Sequence, residues 1–241
     1  MPVLELKGRS IAYRVRTSQR AKRVSVRYSL GAGLEVVYPK GLRQPDPAAL
    51  LHEREDWILS AIDRFGDAQA KLPSRQYREG ESFLFLGASY QLKLENDASR
   101  RQITVCLADD VLKLFLPAPA PKDESERIRG AVESFYRGQA KKYLPSRVRV
   151  LAATHGFTYE KVRIKNQKTR WGSCSAKGNI NLNLRLMMAP DAAIDYVIIH
   201  ELCHLRVLNH SSAFWALVES CCPDYRHWKA WFKEHGPCLI L

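Results

Sequence analysis

The chain lacks a long apolar run, and this absence excludes one broad class of protein. Its 241 residues contain no stretch of roughly eighteen consecutive apolar residues, the length a membrane-spanning helix needs. The N-terminus also lacks the charged and then apolar segment that is typical of a secretion signal. We therefore expect a soluble, cytoplasmic protein rather than a membrane or secreted one.

Cysteines in a metal-binding or redox spacing are also missing. The six cysteines are irregularly spaced, and no two of them form a CxxC pair. In a chain of this length such cysteines are typical of reduced thiols rather than of a disulfide framework. We interpret Cys174, Cys203, Cys221 and Cys222 as small apolar residues that fill space near a compact site.

Acidic residues are few relative to basic ones, with 25 aspartates and glutamates against 38 lysines and arginines and a net charge of +13. Because the basic residues are scattered, a solvated surface that maintains solubility explains most of them. An anionic nucleotide substrate and non-specific proximity to nucleic acid are two further explanations. The basic residues between positions 161 and 170 matter most, since they precede the strands that we expect beside the site.

The segment His200-Glu201-Leu202-Cys203-His204 carries the clearest chemical signal. Residues of a helix advance about 100° each, so His200 and His204 share one face, a single turn apart. Two such imidazoles can bind one zinc ion, and Glu201 can reach over it as the general base that takes a proton from water. The apolar run at 194–199 predicts a buried helix, where unpaired imidazoles would be costly. The motif therefore predicts a zinc hydrolase with Glu201 as its catalytic residue.

The third metal ligand is less clearly specified by the sequence. His210 can be that ligand only if the chain turns after about Leu208, because a straight helix would carry it away from His204. Asn209 tolerates the left-handed conformation that ends many helices, so it is well placed at such a turn. Glu219, on the next predicted helix, is the rival, and it would give a site of two histidines and one glutamate.

Three motifs together resemble a known family. They are RWGSCS at 170–175, GNINLN at 178–183 and HELCHLRVLNHSSAFW from residue 200. They resemble the YgjP-like metallopeptidase domain family of metal-dependent hydrolases and, more distantly, the WLM and SprT-like zinc proteases. The resemblance is strong over about residues 160–235. It implies a zincin-type fold with His200, His204 and His210 as metal ligands and Glu201 as the catalytic acid and base.

The first half of the chain is rich in predicted strands. Period-two alternation marks strands at 11–15, 24–28 and 34–38, and a helix with Pro47 in its first position follows from about Asp46. Similar strand motifs recur about 79 residues later, which suggests a weak internal duplication. We expect these units to form one twisted antiparallel sheet system that supports the catalytic half.

A long helix connects the two halves of the predicted fold. It begins near Asp123 and ends at Gly156, and Pro145 either kinks it or begins a second segment. The proline-rich residues 117–122 are the best candidate linker. We therefore predict an α+β protein with a strand-rich domain at 1–118 and a zincin-like domain, carrying the HExxH helix, at 123–241.

Strands are predicted at 161–165 and 179–186, ahead of the motif helix. The family resemblance implies that residues 181–185 form an edge strand that pairs with an extended substrate, so Asn183 and Arg185 are candidate substrate contacts. The candidate electrophiles that would steady the reacting oxygen are Arg170, Lys168, Arg185 and Tyr225. Ser211 is a plausible N-cap for the next helix, and a last helix runs from Pro223 to Gly236.

Three functions are consistent with the sequence. A zinc-dependent metallopeptidase is favoured by the motif helix and by the expected edge strand. A metal-dependent nucleoside triphosphate pyrophosphohydrolase is the first alternative, because of the basic residues. A nucleic-acid-binding module with zinc as a structural support is the second, but a closed structural zinc site has no need of the motif glutamate.

Overall fold

A computed structural model describes residues 1–19, 21–29, 33–41, 44–70, 75–117, 124–167 and 169–241 of the chain. These residues belong to two compact units, Met1–Leu72 and Pro73–Leu241. Each unit combines helices with a sheet of its own, which confirms the predicted α+β class. Among the helices that the structure describes, none is both long enough and apolar enough to cross a bilayer.

The first unit consists of a four-stranded sheet and two helices. Its strands are β1 (Val3–Leu6), β2 (Arg9–Ser18), β3 (Ser25–Ser29) and β4 (Gly33–Pro39), in the order β1-β2-β4-β3. The helices are α1 (Pro47–His52) and α2 (Glu55–Ala70). The side chain of Asp46 accepts hydrogen bonds from the backbone N–H groups of Ala48 and Ala49, and Pro47 occupies the first turn. The predicted helix start is therefore confirmed.

The sheet of the first unit is mixed, so the prediction of a purely antiparallel sheet is wrong. Strand β4 pairs in parallel with β2 and antiparallel with β3. The physical reason is burial: Val36, Val37 and Tyr38 of β4 are each at most 1% exposed, and the most apolar strand takes the centre, with neighbours on both sides. Alternation along a strand indicates that it is a strand, but it does not say which strands lie beside it.

The second unit begins with a sheet of the same topology. Its strands are β5 (Ser82–Phe85), β6 (Ala88–Asn96), β7 (Thr104–Ala108) and β8 (Val111–Leu116), in the order β5-β6-β8-β7. Strand β8 again pairs in parallel with its neighbour on one side and antiparallel with β7 on the other. The repeated sequence motifs therefore coincide with a repeated topology, in two separate sheets rather than in one sheet system.

This second sheet packs against the helix that follows it. Helix α3 (Glu124–His155) contributes Ile128 and Val132 to the same buried cluster as Phe83 and Leu114 of the sheet. The division of the chain at residues 72 and 73 therefore differs from the predicted boundary at 118–123, because the second strand-rich segment shares its core with the C-terminal half. Residues 118–123 themselves lie outside the described residues.

Helix α3 continues through Pro145 and ends where predicted. Pro145 lies within the helix, so it does not begin a second segment. Gly156 follows the last helical residue with φ +65°. The N–H of Gly156 donates to the carbonyl of Ala153, and that of Phe157 donates to the carbonyl of Ala152. This is the hydrogen-bond pattern of a Schellman motif, which explains why a glycine stands at this position.

A three-stranded sheet lies ahead of the motif helix. It contains β9 (Lys161–Lys165), β10 (Gly172–Cys174) and β11 (Asn179–Asn183), in the order β10-β11-β9. Strand β11 is therefore central, and the prediction that residues 181–185 form an edge strand is wrong. The strand ends at Asn183 because residues Leu184–Met188 coil into a 3₁₀ helix whose side chains turn into the core. The strands at the two edges are β9 and β10.

Three helices complete the unit. They are α4 (Asp191–Cys203), α5 (Ser212–Cys221) and α6 (Tyr225–His235). The Ser211 hydroxyl accepts a hydrogen bond from the N–H of Phe214, so the predicted N-cap of α5 is confirmed. Arg147 of α3 donates two hydrogen bonds, of 2.6 and 2.5 Å, to the Asp195 carboxylate, and this pair holds α4 against the long helix. All six cysteines are free thiols, as predicted.

Candidate metal centre

The C-terminal end of α4 positions the first two histidines. His200 lies in the last helical turn, and His204 is the C-cap residue. The turns tighten after His204. The N–H of Leu205 donates to the carbonyl of Leu202, and the N–H of Arg206 donates to the carbonyl of Cys203. Such i to i+3 hydrogen bonds are common where a helix ends. The turn therefore comes before Leu208, earlier than the sequence predicted, and it leads the chain back toward the helix.

The turn brings His210 to the other two histidines. One ring nitrogen from each of His200, His204 and His210 lies within 4.8 Å of the other two. The Nε2 atoms of His200 and His210 are 3.1 Å apart. Among the residues that the structure describes, these three histidines are the group of side chains placed closely enough to hold one metal ion.

The donor atoms suit a small divalent cation. The Nδ1 of His204 lies 3.1 Å from the carbonyl of Val207, so this nitrogen donates its proton there and leaves the Nε2 lone pair free. Burial, followed by the neighbouring His204 and His210, lowers the pKa of His200 to about 3, so its ring is neutral at neutral pH. Ligands about 2.0–2.1 Å from a tetrahedral zinc ion lie roughly 3.3–3.4 Å apart, close to the separation of the His200 and His210 nitrogens.

Aromatic side chains of α5 fix the orientation of the histidine rings. Phe214 stacks on His204, with ring centroids 4.4 Å apart and an interplanar angle of 23°. The centroid of Trp215 is 5.8 Å from the centroids of both His200 and His210. Phe214 is fully buried, so the wall behind the rings is dry and closely packed. An aromatic layer therefore supports the histidine rings from behind.

Glu201 is the buried acid of the site. The residue is only 5% exposed, and the Oε2 atom of its side chain has no hydrogen-bond partner in the structure. Burial raises the pKa of Glu201 to about 8, against the opposing effects of the Arg170 charge and a backbone hydrogen bond from Cys174. A carboxyl group with such a pKa can both accept and return a proton near neutral pH.

Gly172 gives Glu201 the space that it occupies. A Cβ atom at position 172 would lie 2.6 Å from Oε1, 2.7 Å from Cγ and 2.8 Å from Cδ of Glu201. Real side chains do not approach so closely, and hence only glycine fits while the carboxyl group keeps its place. The glycine of the RWGSCS motif is therefore part of the site.

Two adjoining hollows flank the glutamate. The cleft in front has a volume of about 330 Å³ and is lined by the three histidines, Glu201, Arg170, Leu208 and residues 172–174 of β10. The second hollow, of about 270 Å³, lies along α4 and α6 and also reaches His200 and Glu201. Among the candidate electrophiles, Arg170 lines the front cleft, and Lys168 lies outside the described residues.

The structure does not bring the predicted substrate contacts into the cleft. Asn183 is 2% exposed, and its amide nitrogen donates to the carbonyls of Gln167 and Arg170 at 2.6 and 3.0 Å. Its amide oxygen accepts from the N–H of Arg185. Arg185 lies in the 3₁₀ helix, where burial lowers its pKa and the charge of Glu133 is the largest opposing influence. Asn183 thus fixes the loop that carries Arg170, and neither Asn183 nor Arg185 lines the cleft.

Glu219 and Tyr225, two further candidates from the sequence, lie away from the cleft. Glu219 of α5 is half exposed, and its carboxylate pairs with Arg226 at 3.3 Å instead of joining the histidines. Tyr225 is buried and stacks on Trp215, with centroids 5.4 Å apart, behind the histidine rings.

Two residues of the second hollow were not predicted from the sequence. Tyr196 lies four residues before His200 on the same face of α4, and this spacing was a signal in the sequence. Lys229 of α6 also lines the hollow, and nothing in the sequence connected it with the site.

Comparison with known proteins identifies the class and then the family. A family model described as YgjP-like, metallopeptidase domain, matches residues 22–235. The match makes the protein a metal-dependent peptidase in general terms and therefore a hydrolase. The chain belongs to the YgjP-like metallopeptidase domain family, as the resemblance of its motifs predicted.

Two solved structures show similarity over about a third of the chain. One is the metallopeptidase zymogen abylysin of Pyrococcus abyssi, with 26% identity, 37% of this chain and 90% of that chain covered, and a TM-score of 0.34. The other is the metallopeptidase zymogen jannalysin of Methanocaldococcus jannaschii, with 18% identity, coverages of 36% and 94%, and a TM-score of 0.32. Comparison with curated protein sequences found no match.

Proposed function

We propose that this protein is a zinc-dependent metallopeptidase. In this proposal His200, His204 and His210 bind the zinc ion, and Glu201 is the general base and acid. The observation that carries the proposal is the convergence of three imidazole nitrogens on a cleft that Glu201 also lines, with its Oε2 atom free of hydrogen-bond partners. The family match supports a peptide substrate over a nucleotide substrate or a nucleic-acid-binding role.

Three imidazoles with room for a further ligand are the donor set of a catalytic rather than a structural zinc site. The hydrogen bond from His204 to the Val207 carbonyl supports this set, because it directs the other ring nitrogen toward the centre. Zinc, when bound, supplies the Lewis acidity that makes water nucleophilic near neutral pH.

Glu201 handles the proton in this proposal. Burial raises the pKa of this side chain in the metal-free protein, and the positive charge of a bound zinc ion would favour the carboxylate form, which takes a proton from the attacking water. It then gives the proton to the departing amine nitrogen, which needs it to leave. Gly172 and the backbone of Cys174 keep the carboxyl group in one position during both transfers.

Strand β10 is the element that we propose for binding an extended peptide. It is an edge strand that also lines the cleft. Every second residue of this segment hydrogen-bonds to its neighbour β11 through the backbone. The N–H of Asn183 donates to the carbonyl of Trp171, and the N–H of Ser175 donates to the carbonyl of Asn179. In an antiparallel ladder the backbone groups of the residues between them, Gly172 and Cys174, then face away from β11. The Gly172 groups are therefore available to a substrate strand.

Arg170 is the residue that we propose for steadying negative charge on the reacting carbonyl oxygen. It lines the cleft, and its charge already influences the Glu201 carboxyl group. The buried amide of Asn183 binds the Arg170 carbonyl and so holds this segment in place. A guanidinium group beside the reacting oxygen can then stabilise the negative charge that develops on it.

The decisive experiment compares Glu201→Gln with the control Glu219→Gln, which changes an acid outside the cleft in the same way. Both zinc-loaded variants and the wild type are assayed on unfolded casein and on nucleoside triphosphates, with and without a chelator. We expect Glu201→Gln to retain its zinc and lose about 10²–10⁴-fold in peptide cleavage, the usual contribution of a general base. The control should match the wild type.

Full peptidase activity in Glu201→Gln would refute the assigned role of this residue. Phosphate release from nucleotides without any casein cleavage would favour a pyrophosphohydrolase instead.

A further inference from the structure

The second hollow lies directly beside the proposed reaction centre. It shares His200 and Glu201 with the catalytic cleft, so a group inside it is next to the bond that would be cut. Three aromatic side chains form its walls: Phe232 lies 5.0 Å from Trp171 and 6.3 Å from Tyr196 between ring centroids. Its volume of about 270 Å³ is below that of sites for drug-sized ligands, and it fits a single side chain.

Lys229 gives the hollow a positive charge. Its Nζ lies 4.0 Å from the ring centroid of Trp215, and this cation–π contact holds the ammonium group near the site. The lysine charge is also among the influences, after burial and the other histidines, that lower the pKa of His200. Within the described parts of the chain, no carboxylate forms an ion pair with Lys229.

We propose that this hollow selects the substrate residue beside the scissile bond and that Lys229 binds a carboxylate there, with glutamate as the favoured residue. This inference rests on the proposed peptidase function. It adds a specificity determinant to that function.

The chemistry of the walls favours glutamate over other side chains. The two methylene groups of glutamate can pack on the rings of Trp171 and Phe232 while its carboxylate reaches the ammonium group of Lys229. A leucine side chain would fill the same space but leave the ammonium group without a partner. A lysine side chain would place two like charges together, which is unfavourable at this distance. Glutamine matches the shape of glutamate and lacks only its charge, and therefore isolates the ionic contribution.

The first test measures cleavage of matched peptides. The site that the wild type cuts in unfolded casein is mapped, and fluorogenic peptides with this site are made with glutamate, glutamine, leucine or lysine at each flanking position. We expect kcat/KM to be about tenfold higher for glutamate than for glutamine at one flanking position, as for one charge-assisted hydrogen bond. Peptides with free and amidated C-termini determine whether a terminal carboxylate can replace the side chain.

Charge reversal gives the sharpest comparison. Lys229→Glu should prefer the lysine peptide to the glutamate peptide, and Lys229→Met should discriminate less than twofold between glutamate and glutamine. The matched control is Lys233→Met, which removes an exposed lysine one turn further along α6 and outside the lining of the hollow. This control should keep the wild-type preference.

A binding measurement gives a readout that is independent of turnover. The Glu201→Gln variant is titrated with the same peptides, and the fluorescence of Trp171 and its neighbours reports occupation of the hollow. A dissociation constant about tenfold lower for the glutamate peptide is expected, and Lys229→Met should remove the difference.

Equal cleavage of the glutamate and glutamine peptides by a chelator-sensitive wild type would overturn the inference and leave the peptidase proposal intact. If the wild type cut no peptide and no casein, the peptidase proposal itself would fail.

Discussion

Replacing Gly172 with alanine tests whether the Glu201 carboxyl group must lie where the structure places it. The new Cβ atom would lie 2.6 Å from Oε1, and ordinary contact begins at 3.4 Å. The carboxyl group must therefore move by about 0.8 Å, unless the backbone of β10 moves instead. The contacted atoms belong to a side chain, so they can shift without a large movement of the backbone.

The same movement should be costly for catalysis. A displacement of about 1 Å of a reacting group lowers rates by on the order of 10²-fold. We therefore expect Gly172→Ala to lose about 10²-fold in kcat/KM on a fluorogenic peptide, with its zinc content unchanged. Its free energy of unfolding should fall by about 1–3 kcal/mol, the usual cost of one extra methyl group in a packed region.

A matched control is available in helix α3. At Gly138 a Cβ atom would meet no other atom within 4 Å. Because glycine weakens a helix, Gly138→Ala should raise the free energy of unfolding by about 0.5–1 kcal/mol and leave the activity unchanged. Activity, zinc content and urea denaturation are measured on all three proteins. Wild-type kcat/KM in Gly172→Ala would refute the claim that this contact positions the catalytic carboxyl group.

Two further predictions concern stability. Asn183→Ala should lower the free energy of unfolding by about 2–3 kcal/mol in urea denaturation, because it removes a buried amide that donates to the carbonyls of Gln167 and Arg170. A loss below about 0.5 kcal/mol would instead indicate a surface role. In the metal-free protein, burial raises the pKa of Glu201 from 4.5 to about 8, so the folded state binds more protons in this window and its stability falls as the pH rises. The lowered pKa values of His200 and His204 act in the opposite sense, mainly below pH 6.5, with a smaller effect above it. Between pH 6.5 and 8 the free energy of unfolding should therefore drop by about 1–2 kcal/mol, and an equal drop in Glu201→Gln would contradict this assignment.

Local structure and the chemistry of the motif could be predicted from the sequence because both depend on near neighbours. The i and i+4 spacing of His200 and His204 is a property of any helix, and the caps at Asp46, Gly156 and Ser211 follow from the side chain and backbone of a few adjacent residues.

The pairing of strands could not be predicted, because it depends on which segments bury each other. Strand β11 shows this most clearly: its alternation was evident, but its central place depends on β9 and β10, which lie on either side of it. The close approach of Gly172 to Glu201 joins residues 29 positions apart, and no local pattern reports such a contact. The placement of Lys229 beside His200 has the same origin, since it depends on how α6 packs against α4.

The coordination of zinc in the wild-type protein and in two variants tests the proposed centre most directly. X-ray absorption spectroscopy with elemental analysis should show one zinc ion per chain with three imidazole nitrogens at about 2.0–2.1 Å. His210→Ala should lose one imidazole and bind zinc more weakly, while Glu219→Gln should give the wild-type spectrum. A spectrum with two imidazoles and a carboxylate, altered by Glu219→Gln and unchanged by His210→Ala, would contradict the three-histidine centre.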